Sequence, residues 1–243
     1  MPIKVTVWNE RKQDRADERV IKVYPGGISL AIADALNKNA DISARTAELA
    51  EPECGLSSER LADTDVLIWW GHHAHDEVPD DIAYRVVDAV QRGMGLIVLH
   101  SGHMSKPLRL LLGTSCTLKW RCGDRERLWV ASPSHPIAAG LPEHFELAQE
   151  EMYGEPFDIP SPDETVFMSW FSGGEVFRSG VTYRRGYGKI FYFQPGHETC
   201  PTYHDANIQR VILNAVRWAA PSLRRGEADC PNPAPLEGTP GAR

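Results

Sequence analysis

Histidines follow three short apolar runs of the sequence, and each run has the length of a buried strand. Residues 65–70 precede His72, His73 and His75, residues 95–99 precede His100 and His103, and residues 189–193 precede His197. In an open parallel sheet, ligands bind outside the carboxyl ends of the strands. We therefore expect these distant segments to meet at one edge of a sheet.

Two kinds of chemistry suit such a cluster. Imidazole nitrogens bind zinc, iron or nickel, and a catalytic metal needs about three protein ligands and one open position. The predicted ligands of one divalent metal, with Zn²⁺ as the first choice, are His72, His75, His100 and His197, and Glu198 is expected to orient them. In the alternative, no metal binds, and histidines that titrate near neutral pH transfer protons or hydrogen-bond a polyol. The residues leave both alternatives open.

An acidic segment, Glu150–Phe157, places carboxylates around a tyrosine. One interpretation is a solvated acidic loop. The other is a wall of the same cleft, in which Glu151 acts with His100 and His197 in catalysis. Substrate binding is then assigned to Tyr153, Glu155, Ser101 and His103. Tryptophans are expected in the core, although one or two of Trp69, Trp70, Trp120, Trp129 and Trp170 would suit stacking on a sugar ring.

Several other types of site are excluded because the sequence lacks their motifs. Ser101 follows a strand, but its flanks do not form G-x-S-x-G, so a serine-hydrolase elbow is not predicted. The glycines form neither G-x-G-x-x-G nor a P-loop, so no nucleotide cofactor is expected. The five cysteines include no C-x-x-C pair, which argues against a disulfide scaffold and a four-cysteine zinc site.

The first hundred residues alternate strand and helix patterns, which predicts an α/β fold with a mainly parallel sheet. Residues 116–185 hold shorter strand-like runs broken by Pro and Gly. We interpret them as an insertion-rich second half laid over the sheet, not as a separate domain. The predicted organisation is one domain over residues 1–220. The Pro/Gly-rich tail over residues 221–243 lacks apolar periodicity and is expected to be disordered.

Composition limits the partners of the 243-residue chain. It is 42% hydrophobic and 24% charged, with a net charge of −7. This balance is typical of a globular protein and argues against nucleic-acid and anionic-membrane partners. The sequence enters a strand pattern at its start without the pattern of a signal peptide, which predicts a cytoplasmic location. A small sugar is the expected ligand, and homo-oligomerisation is left open.

Four segments together resemble the ThuA-like, trehalose-utilisation family over roughly residues 3–220. They are DVLIWWGHHAHDE (65–77), GLIVLHSGH (95–103), EMYGEPF (151–157) and GKIFYFQPGHETCPT (188–202). The resemblance implies a flavodoxin-like three-layer sandwich with a mainly parallel central sheet, related to class I glutamine amidotransferases. It also implies a role in the catabolism of trehalose and related disaccharides, beside oxidoreductases that form keto-sugars.

The chain departs from the amidotransferase pattern at two positions. His100 stands where the amidotransferases have their nucleophilic cysteine, and Gln194 stands where they have their catalytic histidine. Glutaminase activity needs a thiolate activated by that histidine, so it is not expected. The sequence favours a hydrolase, lyase or isomerase acting on a disaccharide or keto-sugar. The alternative is a non-catalytic sugar-binding or regulatory protein on the same scaffold.

Overall fold

A computed structural model describes residues 1–226 and 232–237 of the chain. One nine-stranded sheet runs through it in the order β2-β1-β3-β4-β9-β8-β7-β5-β6. The strands are β1 (Ile3–Asn9), β2 (Ile42–Glu48), β3 (Val66–Trp70), β4 (Gly95–Leu99), β5 (Lys119–Val130), β6 (His144–Gly154), β7 (Glu164–Phe171), β8 (Val176–Arg185) and β9 (Gly188–Phe193). The helices are α1 (Gln13–Ala16), α2 (Glu18–Val23), α3 (Ile28–Asn37), α4 (Ser58–Ala62), α5 (Asp80–Gln91), α6 (Lys106–Leu112) and α7 (Ala206–Ala219).

Five strands, β2-β1-β3-β4-β9, form a parallel half of the sheet. Every residue of β3 and β4 is buried, because these strands lie in the middle of the sheet with helices on both faces. Their sequences, VLIWW and GLIVL, are accordingly apolar throughout. The predicted α/β fold is therefore confirmed, and the predicted parallel pairing holds for these five strands of a mixed sheet.

Alternate residues of the central strands pack into two separate hydrophobic cores. On one face, Ile68, Trp70 and Leu99 pack in a cluster with residues of α3 and α7. On the other face, Trp69 and Val98 pack in a cluster with residues of α5 and α6. Since side chains alternate along a strand, each central strand contributes to both cores. This packing fixes the orientation of the loops that follow β3 and β4.

The second half of the chain does not lie over the sheet, contrary to the sequence-based expectation. Strands β5 to β8 extend the sheet edge-on, each antiparallel to its neighbours, and β8 joins them to β9. Hydrogen bonding along β9 continues the ladder directly, and residues 1–226 and 232–237 form no second layer of strands over it. The segment 150–154 is also not a solvated loop, because it is the buried end of strand β6.

The first residues of the tail are attached to the domain. The Arg224 guanidinium donates to the carbonyl of Ala62 at 2.9 Å and to Asp65 Oδ1 at 3.0 Å. The backbone N–H of Arg225 donates to the carbonyl of Arg92 at 3.0 Å. Residues 224 and 225 thus contact the domain, and the expectation of disorder for residues 227–231 and 238–243 lies outside the described residues. Among the described helices, none is both long and apolar enough to span a membrane.

Candidate functional site

Three loops meet at the carboxyl edge of the parallel strands. The loop after β3 carries His72, the turn after β4 carries His100, and the loop after β9 carries His197. His100 adopts φ +49, a left-handed conformation that is uncommon for a residue with a side chain. The chain turns there directly from β4 into a short 3₁₀ helix, His100–Met104. This sharp turn places the imidazole of His100 over the end of the sheet.

The three imidazoles are close neighbours in space. The ring centroids of His100 and His197 are 5.7 Å apart, and the centroid of His72 lies 6.2 Å from that of His100 and 6.4 Å from that of His197. The rings of His72 and His100 are nearly parallel, with an interplanar angle of 4°. The structure thus brings these three histidines together, as the strand-end argument expects.

Hydrogen bonds at Nδ1 determine which nitrogen each of two histidines turns toward the site. Ser101 Oγ donates to the carbonyl of Gly71 at 2.9 Å, so it must accept from Nδ1 of His72, 2.7 Å away. His100 Nδ1 lies 2.9 Å from the carbonyl oxygen of Gln194, to which it donates. Both rings therefore turn Nε2 toward the site.

His100 and Glu151 form a buried pair. His100 Nε2 lies 3.0 Å from Glu151 Oε2 and 3.4 Å from the hydroxyl of Tyr153. Burial alone would lower the pKa of His100, but the hydrogen bond and negative charge of Glu151 raise it above its usual value. Burial would raise the pKa of Glu151, but the hydrogen bond and charge of His100 outweigh it and lower the pKa to about 2. The pair therefore holds a positive imidazolium against a carboxylate.

A cavity of about 500 Å³ opens beside this pair. Its lining residues are His72, His73, His75, Ser101, His103, Met104, Thr117, Leu118, Trp120, Glu151 and Tyr153. Burial lowers the pKa of His72 to about 4 and that of His103 to about 3, and it also lowers the pKa of His75. These three imidazoles are consequently neutral near neutral pH, and they present hydrogen-bonding atoms to the cavity.

Aromatic surface forms one side of the cavity. Trp120 is 67% exposed and faces Tyr153 across the β5–β6 pair, and Cys122 faces Glu151 two residues further along. Directly paired residues share one face of an antiparallel pair, so all four side chains lie on the face that borders the cavity. The exposed indole ring lies beside polar groups, an arrangement suited to stacking on a sugar ring.

Several predicted site residues lie away from the cavity wall. Glu155 follows β6, and its carboxylate accepts from the guanidinium of Arg178 at 2.7 and 2.9 Å and from the backbone N–H of Phe157. These contacts engage both carboxylate oxygens of Glu155, which is not among the residues that line the cavity described above. His197 and Glu198 are next to the imidazole cluster but do not line the cavity.

Sequence reasoning missed two buried carboxylates that hold the histidine loops. Glu10, after β1, accepts from the backbone N–H groups of residues 72, 73 and 74 at 2.8–2.9 Å. Glu150 accepts from the backbone N–H groups of Gly196 at 3.0 Å and His197 at 2.8 Å. Backbone N–H groups bear no residue-specific signal, and therefore no motif in the sequence indicates these contacts.

Cys122 is a further neighbour that the sequence did not indicate. Its thiol donates to Glu151 Oε1 at 3.4 Å. Burial and the negative charge of Glu151 raise the pKa of the Cys122 thiol to about 11, so it is protonated near neutral pH. A nucleophilic cysteine needs a lowered pKa, and this thiol does not have one.

Two groups of side chains have a spacing compatible with a metal ion. The first contains His72, His100 and Glu198, and the second contains Cys122, Glu151 and His197. Within each group the ligand atoms lie within 4.8 Å of one another. Neither group includes His75, which the sequence placed among the ligands.

The family model for trehalose utilisation, ThuA, matches residues 4–219, which is most of the chain. The chain belongs to the ThuA family. A ThuA-like protein from Parabacteroides merdae has a similar structure, with a TM-score of 0.66 at 15% identity, over 94% of this chain and 93% of that one. No curated protein matches this sequence.

Two further solved structures place this ThuA-family chain in a wider fold group. A cytoplasmic protein from Salmonella typhimurium has a TM-score of 0.61 at 12% identity, over 90% of this chain and 100% of that one. PurLQS from Thermotoga maritima has a TM-score of 0.51 at 15% identity, over 90% of this chain and 99% of that one. The α/β fold of this chain is therefore shared with both of these structures.

Proposed function

We propose that this ThuA-family protein is an enzyme of sugar catabolism that acts on a disaccharide or keto-sugar in the histidine-rich cavity. One observation carries the proposal. The carboxylate of Glu151 lines a cavity that is large enough for a sugar. Nε2 of the buried His100 lies 3.0 Å from Oε2 of that carboxylate. A carboxylate that borders an open cavity lies within reach of a bound sugar, which is the geometry that a general base requires.

The side chains around Glu151 support distinct roles. Glu151 is the group that accepts or returns a proton, because it lines the cavity whereas His100 is fully buried. His100 is therefore a positioning residue for the carboxylate. Tyr153, Ser101 and the cavity-lining imidazoles bind sugar hydroxyls. Proton transfer at a carbon beside a carbonyl fits the elimination or isomerisation of a keto-sugar, and proton transfer from water fits hydrolysis.

A second candidate is a non-catalytic sugar-binding or regulatory protein. It is favoured by the number of polar atoms that already have partners within the protein, such as Ser101 Oγ and Nδ1 of His72. Such paired groups recognise hydroxyls without exchanging protons. Fold alone does not separate the two candidates, because similar scaffolds carry unrelated functions.

The test compares the wild type with Glu151→Gln and with a control, Glu146→Gln. Glu146 lies on the same strand, on the exposed side, where it pairs with Arg127. Each protein is incubated with a keto-disaccharide and with its unoxidised parent, and products are measured by NMR. We expect turnover by the wild type and the control, and its loss in Glu151→Gln. Saturable binding without turnover would support the second candidate, and absence of both would contradict the proposal.

The wider expectations are consistent with this proposal. The parallel strand order 2-1-3-4 followed by the last strand, with helices on both faces, supports a flavodoxin-like three-layer relation. The Salmonella neighbour is described as a cytoplasmic protein, which supports that location for this chain. We propose a small sugar as the partner, without nucleic acid, nucleotide or membrane, and self-association is to be determined by sedimentation.

A further inference from the structure

We propose that His72, His100 and Glu198 form a binding site for one divalent transition-metal ion of the Zn²⁺ class. The inference is independent of the identity of the sugar. The three ligand atoms lie within 4.8 Å of one another, although they come from loops after three different strands. Two imidazoles and one carboxylate are a common protein ligand set for zinc and for non-haem iron.

The hydrogen bonds of the two imidazoles fit this role. A metal-bound histidine usually donates its other ring N–H to a carbonyl, carboxylate or water, which fixes the tautomer and the ring orientation. Nδ1 of His100 donates to a backbone carbonyl at 2.9 Å, and Nδ1 of His72 donates to the Ser101 hydroxyl at 2.7 Å. In both rings Nε2 is the remaining nitrogen, and the nearly parallel rings present it to a shared space.

Glu198 supplies an independent observation. The residue is only 7% exposed, and its buried Oε2 has no hydrogen-bond partner among the described residues. The nearest imidazole nitrogen, Nδ1 of His197, is 3.8 Å from this oxygen. That nitrogen is instead hydrogen-bonded to the backbone N–H and the hydroxyl of Thr199. A buried carboxylate oxygen without a partner is costly, and a bound cation would remove that cost.

The surrounding charges also favour a cation. Glu151 Oε2 lies 3.0 Å from His100 Nε2, so a metal at that nitrogen would take the place of the proton between them. Glu151 would then lie beside the metal as well as beside the cavity. His72 lines the cavity and gives the ion a route from solvent. The site therefore differs from the predicted set in two ways: Glu198 is a ligand, and His75 and His197 are not.

The test uses the metal alone, without sugar. The full-length protein is treated with a chelator and dialysed, and Co²⁺ and Zn²⁺ are added separately. Binding is measured by calorimetry, and the ligand field of bound Co²⁺ is read from its visible absorption. The variants are Glu198→Gln and His72→Asn, and the control is His75→Asn, which also alters a cavity-lining imidazole. Circular dichroism and thermal melting verify that each variant folds.

We expect the wild type and His75→Asn to bind one ion per chain with equal affinity. Glu198→Gln and His72→Asn should each weaken binding by more than the roughly 10–100-fold typical for loss of an outer partner. Either variant suffices if the other does not fold. Failure of the folded wild type to bind Co²⁺ or Zn²⁺ would overturn the proposal. Equal affinity in the wild type, Glu198→Gln and His72→Asn would also overturn it, because the ion would then bind elsewhere. Neither result depends on turnover, so the sugar proposal stands or fails separately.

Discussion

Glu150→Gln is the substitution that most directly tests how the histidine loop after β9 is held. The wild-type carboxylate is 1% exposed and accepts four hydrogen bonds. Its Oε1 accepts from the backbone N–H groups of His197 at 2.8 Å and Glu151 at 3.0 Å. Its Oε2 accepts from the backbone N–H of Gly196 at 3.0 Å and from the hydroxyl of Thr202 at 2.6 Å.

Glutamine has the same shape but can satisfy only part of this set. Its amide oxygen can accept from one pair of donors, and its NH₂ group then faces the other pair. The Thr202 hydroxyl can turn round and accept, but the backbone N–H of Gly196 cannot. Loss of a hydrogen bond to a charged acceptor costs about 1.5–3 kcal/mol, and an unsatisfied buried donor costs about 1–3 kcal/mol. Since these costs overlap, we expect a loss of about 2–4 kcal/mol in the free energy of unfolding.

The assay is thermal and urea unfolding of Glu150→Gln beside a control, Glu77→Gln. A loss of this size lowers Tm by about 4–16 °C in a chain of this length. Glu77 is exposed and pairs with Lys12, so its substitution should cost at most about 1 kcal/mol. If Glu150→Gln lowers the free energy of unfolding no more than Glu77→Gln does, the Glu150 carboxylate does not hold the loop, and our account of this loop is wrong.

Three other outcomes follow from the structure. Glu126 is fully buried, and burial raises its pKa well above the usual value, so the wild type should lose stability as pH rises above the unfolded-state pKa of about 4.3. Glu126→Gln keeps an acceptor for Ser169, so its stability relative to the wild type should increase between pH 5 and pH 8, by about 1.4 kcal/mol per unit of raised pKa. A difference in stability that does not change with pH would contradict this. Trp120→Ala should weaken sugar binding measurably by calorimetry while leaving Tm within about 1–2 °C, because the indole is mostly exposed; unchanged sugar affinity would remove the stacking role. Ammonia release from glutamine should be at background in a coupled assay, because His100 occupies the turn where a nucleophile would stand. Release that disappears with Cys122→Ser would show that the nucleophile is a cysteine and that this expectation is wrong.

The sequence indicated the parallel half of the fold well. Continuous apolar runs such as Gly95–Leu99 are typical of buried parallel strands, and the structure places a strand at those residues. The position of strands β5 to β8 was not predictable, because their alternating pattern fits a strand in any sheet. Whether they add to an edge or form a second layer depends on pairing, which residue types specify weakly.

The site was predictable in location but not in detail. Histidines at the ends of neighbouring strands share an edge by topology, which brought His72, His100 and His197 together. Tertiary contacts determine which of the other predicted side chains reach the cavity. Glu155 is engaged by Arg178 from another strand, and Glu10 acts through backbone N–H groups, which no side-chain motif reveals.

The central claim is that Glu151, held by His100, transfers a proton to or from a sugar in this cavity. The most direct measurement is the single-turnover reaction of wild type and Glu151→Gln with a keto-disaccharide, followed by NMR with binding measured in parallel. The account predicts that Glu151→Gln binds the sugar within a few-fold of wild type and forms at least about 100-fold less product, since general acid–base groups contribute about 10²–10⁴-fold. Wild-type product formation by a folded Glu151→Gln variant would contradict it.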